Sequence, residues 1–245
     1  MNRTRAAPAP ASAPAKWASA LAVLRAAATQ APAVFSTSFG AEDMVVLDLI
    51  RRYQLCIDMF TLDTGRLPEE TYALMQRVEE RYGRCFDTLF PDQLALQRLV
   101  ARDGINGFYA CVENRKACCA VRKVEPLARA LAGKRAWITG LRAQQSATRA
   151  QLAAREHDPV HELEKFNPLH DWSESQVWDY LRGNGVPYNA LHDRFYPSIG
   201  CAPCTRAVAV GEDIRAGRWW WENAEGKECG LHPRGPKTIP IREPA

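Results

Sequence analysis

The sequence predicts an α/β protein built on a parallel sheet, and three observations carry that prediction. Short apolar runs at 33–35, 57–62, 85–90 and 135–140 alternate with stretches whose apolar residues recur at helical spacing. Two of these runs break at their carboxyl ends into polar turns, residues 36–43 and 63–66. A chain of 245 residues with 47% hydrophobic and 24% charged residues is large enough for a sizeable core and ordinary for a globular protein. The βαβαβ rhythm implies right-handed crossovers, with ligands at the carboxyl ends of the strands.

The opening 1–16 is Ala/Pro-rich and lacks an apolar signal core, so it reads as a disordered tail. Residues 17–28 form a helix with Leu21 and Leu24 on one side. A short strand at 33–35 runs into the turn containing Ser36, Ser38, Gly40 and Asp43, and a helix with an apolar face follows over 44–50. Such a turn aims hydroxyls and backbone N–H groups at a helix N-terminus, which suits an anion; Ser and Asp serve equally as ordinary caps. A second strand at 57–62 ends in Asp63, Thr64, Gly65 and Arg66, and Pro68 suits the first position of a helix reaching Tyr82. After a third strand at 85–90, Asp92 caps a helix to about Arg102. Residues 107–116 look irregular, and a helix then carries Val121, Val124, Leu127 and Leu131.

A fourth strand, 135–140, ends at Arg142, and Arg142 and Arg149 bracket a polar stretch that reads as an anion contact or a surface loop. A fifth strand at 161–166 precedes a helix opened by a Ser173/Gln176 capping box and stopped at Gly183 and Gly185. The histidines 157, 161, 170 and 192 show no metal-ligand pairing, so structural roles are expected for each. No run has the length of a membrane span, and a net charge of +4 does not make nucleic acid the default partner.

Eight cysteines at irregular spacing suit a reducing cytoplasm with metal-binding or reactive thiols. Cys118 and Cys119 are adjacent, with Cα atoms ~3.8 Å apart, below the usual disulfide range. Cys201 and Cys204 have metal-ligand spacing. Together the four suit an iron–sulfur cluster or, less comfortably, zinc, with no metal as the third reading. Lys123 lies one turn beyond Cys119, either beside such a site or solvated. Near the carboxyl end, Cys229 is flanked by Lys227 and His232; positive charge with exposure favours a reactive thiolate on a mobile arm, and an inert terminal cysteine is the other reading. Cys56 and Cys85, at strand starts, read as buried small hydrophobes, and Cys111 lies outside every motif.

Four stretches in this order, STSFGAED at 36–43, LDTGRLPEETY at 62–72, KACCAVRKVEPL at 116–127 with IGCAPCTRAV at 199–208, and KECGLH at 227–232, resemble the assimilatory adenylyl-sulfate reductases. These are the cluster-bearing branch of the phosphoadenylyl-sulfate/adenylyl-sulfate reductase family. The resemblance covers roughly residues 33–232. It implies an adenine-nucleotide α-hydrolase-like (Rossmann-like) fold over 17–215 and a mobile terminal segment, 216–245, carrying the catalytic cysteine. The loop lacks the lysine of a pyrophosphatase loop, which fits a ligand with fewer phosphates.

The resemblance assigns a [4Fe–4S] cluster to Cys118, Cys119, Cys201 and Cys204, and makes Cys229 the nucleophile. Lys123, Arg215 and Arg218 match phosphosulfate-binding positions, and His232 sits three residues after the nucleophile. Ser36, Ser38, Gly40, Asp63, Thr64, Arg142 and Arg149 complete the expected substrate contacts. The implied reaction reduces adenylyl sulfate to sulfite and AMP for cysteine biosynthesis, with thioredoxin or a similar dithiol protein as donor; association into a homo-oligomer stays open. The competing readings are a 3′-phosphoadenylyl-sulfate reductase, an ATP-dependent tRNA-thiolating enzyme and a non-catalytic nucleotide sensor.

Overall fold

The computed structural model describes residues 15–145 and 151–222. Strands Ala33–Thr37 (β1), Asp58–Leu62 (β2), Asp87–Leu89 (β3), Ala136–Ile138 (β4), Arg155–Asp158 (β5) and Leu163–Phe166 (β6) form one sheet in the order β3-β2-β1-β4-β6-β5. All neighbours pair in parallel except β5 with β6, and the register places Phe35 opposite Met59 and Ile138. This is the expected parallel α/β fold, with an antiparallel edge added.

Side chains alternate across the sheet because successive strand residues point to opposite faces. Phe35, Ala136 and Ile138 enter the larger core, while Val34, Phe60 and Trp137 enter a second one against Leu127 and Leu131. The larger core takes the apolar stripes of Ala15–Ala28 (α1), Ala41–Arg52 (α2), Glu69–Tyr82 (α3) and, after the other helices, Glu174–Gly183 (α7). Within it the Asp48 carboxylate accepts from the hydroxyls of Tyr82 and Tyr180 at 2.8 and 2.6 Å and pairs with Arg52, which satisfies a buried charge.

The helices Gln93–Asp103 (α4), Val112–Cys119 (α5) and Glu125–Leu131 (α6) lie on the cysteine side of the chain. Asp92 caps α4 through Ala95, and Ser173 and Gln176 form the expected capping box of α7. One π turn, Ala120–Val124, joins α5 to α6.

Several boundaries differ from the sequence reading. Pro68 occupies the cap position and α3 begins at Glu69. Residues 112–119 are helical where an irregular stretch was expected, because Cys111 opens α5 with its sulfur accepting from the Asn114 N–H. The run Arg-Glu-His-Asp of β5 carries no apolar pattern, being an edge strand with largely exposed side chains. Cys56 is exposed, and Cys85 is half-buried and packs against the edge of the larger core, since β2 and β3 start two residues beyond each. The segment expected to begin a separate arm at 216 is packed against the body through Glu222, with Trp219 1% exposed.

Candidate active site

The carboxyl ends of β1, β2 and β4 open on a cavity of about 620 Å³. At the first, the Ser38 N–H and hydroxyl both donate to Asp43 Oδ2, at 2.6 and 2.8 Å, so the turn closes on its own carboxylate. The Ser36 hydroxyl accepts from Trp137 Nε1 at 2.8 Å. Gly40 stands at the cap of α2 and contributes no side-chain cap. The serines therefore do not act as ordinary caps, and Gly40, Ala41 and Glu42 present the start of α2 to the cavity wall. Gly140, after β4, lies so close that a Cβ there would sit 2.1 Å from Asp43 Oδ1.

Burial drives the Asp43 carboxyl up to about 6, against the hydrogen bonds from Ser38 and with the nearby Glu42 charge. A folded-state value above the unfolded 3.8 means that protonation stabilises the fold. That contribution is complete below the unfolded value and is lost as pH rises through about 6. Asp43→Asn keeps an acceptor and removes the titration. Relative to the parent, the variant should gain stability between about pH 4 and about pH 7, by at most ~3 kcal/mol. Urea unfolding of both proteins across that range checks it; parallel pH profiles would refute it.

At the second turn, Asp63 Oδ1 accepts from the Gly65 N–H at 2.8 Å and the Tyr72 hydroxyl at 2.9 Å, and Gly65 takes the left-handed φ of 67° that the turn requires. Asp63 thus shapes the turn from behind and is not in the cavity wall, whereas Thr64 is. Thr64 Oγ1 lies 3.2 Å from Cys201 Sγ, which ties this turn to the second cysteine pair. Beyond β4, Arg142 is 4% exposed and pairs with Glu42 at 2.8 Å, so part of its charge is already matched. Arg215, Arg218 and Lys123 complete a basic side of the wall. Arg218 lies directly over Gly200, where a Cβ would meet its Nη2 at 2.2 Å, and stacks on Trp219.

Cys118, Cys119, Cys201 and Cys204 line one small cavity with Arg66, Arg115, Arg122, Lys123 and Trp219. All four are free thiols. Among the described residues no three His, Cys, Asp or Glu side chains form a group suited to a single metal ion. Burial pushes the Cys204 thiol up to about 12, reinforced by Cys201, and burial raises Cys118 as well. Burial also opposes charge on Cys201, but Lys123, Thr64, Arg218 and Arg122 together outweigh it and hold that thiol below its ordinary value.

The surroundings suit an anionic, acceptor-rich group held by thiolates. Four soft ligands face four cationic side chains, and Arg122 Nε, Trp219 Nε1 and Trp221 Nε1 are buried donors without an acceptor among the described residues. Lys123 belongs to the walls of both cavities.

The structure therefore brings Ser36, Ser38, Gly40, Thr64, Lys123, Arg142, Arg215 and Arg218 to one cavity. Arg149, Cys229 and His232 lie outside the described residues. Arg66 was named only as the end of the second polar turn, and Arg115 and Arg122 were not singled out in the sequence. The local signal of the latter two is helical spacing, Arg115 four before Cys119 and Arg122 four after Cys118. No helix among the described residues is long and apolar enough to cross a membrane.

Residues 32–207 match the family model of the phosphoadenosine phosphosulfate reductase domain. An adenosine 5′-phosphosulfate reductase of Allochromatium vinosum is 60% identical over 215 residues, covering 86% of this chain and 84% of the relative. One from Burkholderia cepacia is 52% identical, with coverages of 86% and 84%. Among solved structures, the phosphoadenylyl-sulfate reductase of Candida auris in its phosphate complex superposes with a TM-score of 0.67 at 30% identity, covering 78% of this chain and 90% of that one. An FMN adenylyltransferase of Candida glabrata shares the fold at 14% identity and a TM-score of 0.54, over 91% and 75% of the two chains.

Proposed function

Since the chain belongs to the phosphoadenosine phosphosulfate reductase family, we propose that it reduces adenylyl sulfate to sulfite and AMP in sulfate assimilation, through a cysteine S-sulfonate on Cys229. The observation that carries this reading is Lys123 in the wall shared by the nucleotide-sized cavity and the cysteine centre. The choice of adenylyl sulfate over its 3′-phosphorylated form is supported by the relatives named for that substrate at 60% and 52% identity.

In the proposed reaction the Cys229 thiolate attacks the sulfate sulfur. The S–O bond to the AMP phosphate breaks, leaving Cys229–S–SO₃⁻ and AMP. A thiolate of a dithiol protein such as thioredoxin then attacks the Cys229 sulfur and releases sulfite as a mixed disulfide forms. The donor's second thiol closes its own disulfide and frees Cys229, so the two electrons gained by the sulfate sulfur come from the donor. Because both the nucleophile and the sulfate are anionic, Lys123, Arg215 and Arg218 offset their repulsion and stabilise the departing phosphate. The start of α2 and the turn at 36–43 supply the remaining anion-binding surface.

Cys118, Cys119, Cys201 and Cys204 would hold a [4Fe–4S] cluster, the reading supported by four thiols that line one small cavity with cationic side chains. When bound, the cluster supplies fixed negative charge and rigidity beside Lys123. Arg122 holds the Thr64 carbonyl and so fixes the second turn against this centre.

Incubating the cluster-bearing protein with adenylyl sulfate, without reductant, tests the reading. Intact mass should rise by one SO₃, mapped to Cys229, in a sample whose iron and sulfide match one cluster per chain. The 3′-phosphorylated nucleotide should react more slowly. No adduct, or faster reaction of the 3′-phosphorylated form, would overturn the respective part.

A further inference from the structure

Arg115 makes contacts that the proposed chemistry does not use. Its guanidinium is 1% exposed and grips Glu222, itself 6% exposed, with two parallel bonds: Nε to Oε1 and Nη2 to Oε2, each 2.8 Å. Such a fork fixes orientation as well as distance. The same guanidinium lies 4.7 Å from the Trp219 ring centre, and Arg115 lines the small cavity together with Cys119. Two further contacts hold this stretch: the Trp219 N–H donates to the Cys204 carbonyl at 3.1 Å, and the Trp221 ring packs on Tyr109 at 4.5 Å. Residues 219–222 are thus fastened to both cysteine pairs at once.

We propose that Arg115 and Glu222 form the anchor that fixes the position of residue 222, from which the sequence runs on to Cys229, making Arg115 a positioning residue for the attack on the nucleotide. The inference rests on Cys229 being the nucleophile. Glu222 stands seven positions before Cys229, a span of at most ~25 Å. Without the fork, the nearest firmly buried side chain is Trp219, ten residues from Cys229. Loss of that fixed point should slow the attack, because misplacing a reacting group by ~1 Å can slow a reaction up to ~10²-fold. Substrate affinity should be spared, since neither residue lines the large cavity.

The test compares cluster-bearing parent, Glu222→Gln and Arg115→Lys, the last keeping the charge while losing the fork. Three quantities are read: AMP affinity, the rate of S-sulfonate formation at saturating adenylyl sulfate without reductant, and amide hydrogen exchange over residues 219–222. Both variants should form the adduct about tenfold more slowly, bind AMP within about twofold of the parent and exchange faster at 219–222. An adduct rate within about twofold of the parent would overturn the proposal. So would parallel loss of rate, AMP affinity and cluster absorption in both variants, which marks a merely structural pair. If the parent itself forms no adduct, the functional reading fails. Exchange then decides the anchor alone: faster in the variants supports it, unchanged refutes it.

Discussion

The Cys229→Ser protein should bind AMP as its parent does and release no sulfite, a loss of at least ~10³-fold. The expected size follows from the atom replaced. A serine hydroxyl is almost wholly protonated at neutral pH, and its oxygen would form a sulfate ester that a thiolate donor cannot open into sulfite and a disulfide. Binding is expected to be spared because the described cavity wall already brings together Lys123, Arg142, Arg215 and Arg218. Sulfite release and intact mass are the measurements. Cys56 and Cys111 are exposed and serve as internal controls. An SO₃ adduct forming at the parent rate on either of them would remove Cys229 from the mechanism.

Lys123→Ala is expected to lower kcat/KM by about 10²–10³-fold, the usual cost of removing one preorganised charge from a developing anion. AMP, which lacks the sulfate, should lose affinity far less than that. The asymmetry arises from position: Lys123 faces the nucleotide cavity on one side and the cysteines on the other, and its charge helps to hold the Cys201 thiol below its ordinary value. A steady-state comparison with AMP binding by calorimetry checks it. Activity within about threefold of the parent would show that Arg215 and Arg218 suffice.

Much of the fold was legible because strand and helix periods alternate so regularly from Ala33 to Leu62 and onward. Four residues of β1 and β2 pair in register, and each strand ends in a turn whose polar residues have no role in the core. The site was legible where adjacent residues carry the chemistry, as in the two cysteine pairs. It was not legible where the partner is remote: Arg115 meets Glu222 across 107 positions, and Arg142 meets Glu42 across 100. Asp63 has a role in the turn that the sequence did not show: its Oδ1 accepts from the Gly65 N–H and the Tyr72 hydroxyl. The charged strand β5 escaped notice because an edge strand exposed to water needs no apolar face.

The π turn at Ala120–Val124 has a consequence for chain length. Each residue advances an α-helix by ~100°, so trimming the wider turn back to α geometry by deleting one residue would rotate everything beyond it by about that angle. Pro126, Leu127 and Leu131, buried on α6, would keep their identities and face the wrong way. The number of residues between Cys119 and Glu125 is therefore as constrained by the fold as Arg122 and Lys123 are by the site.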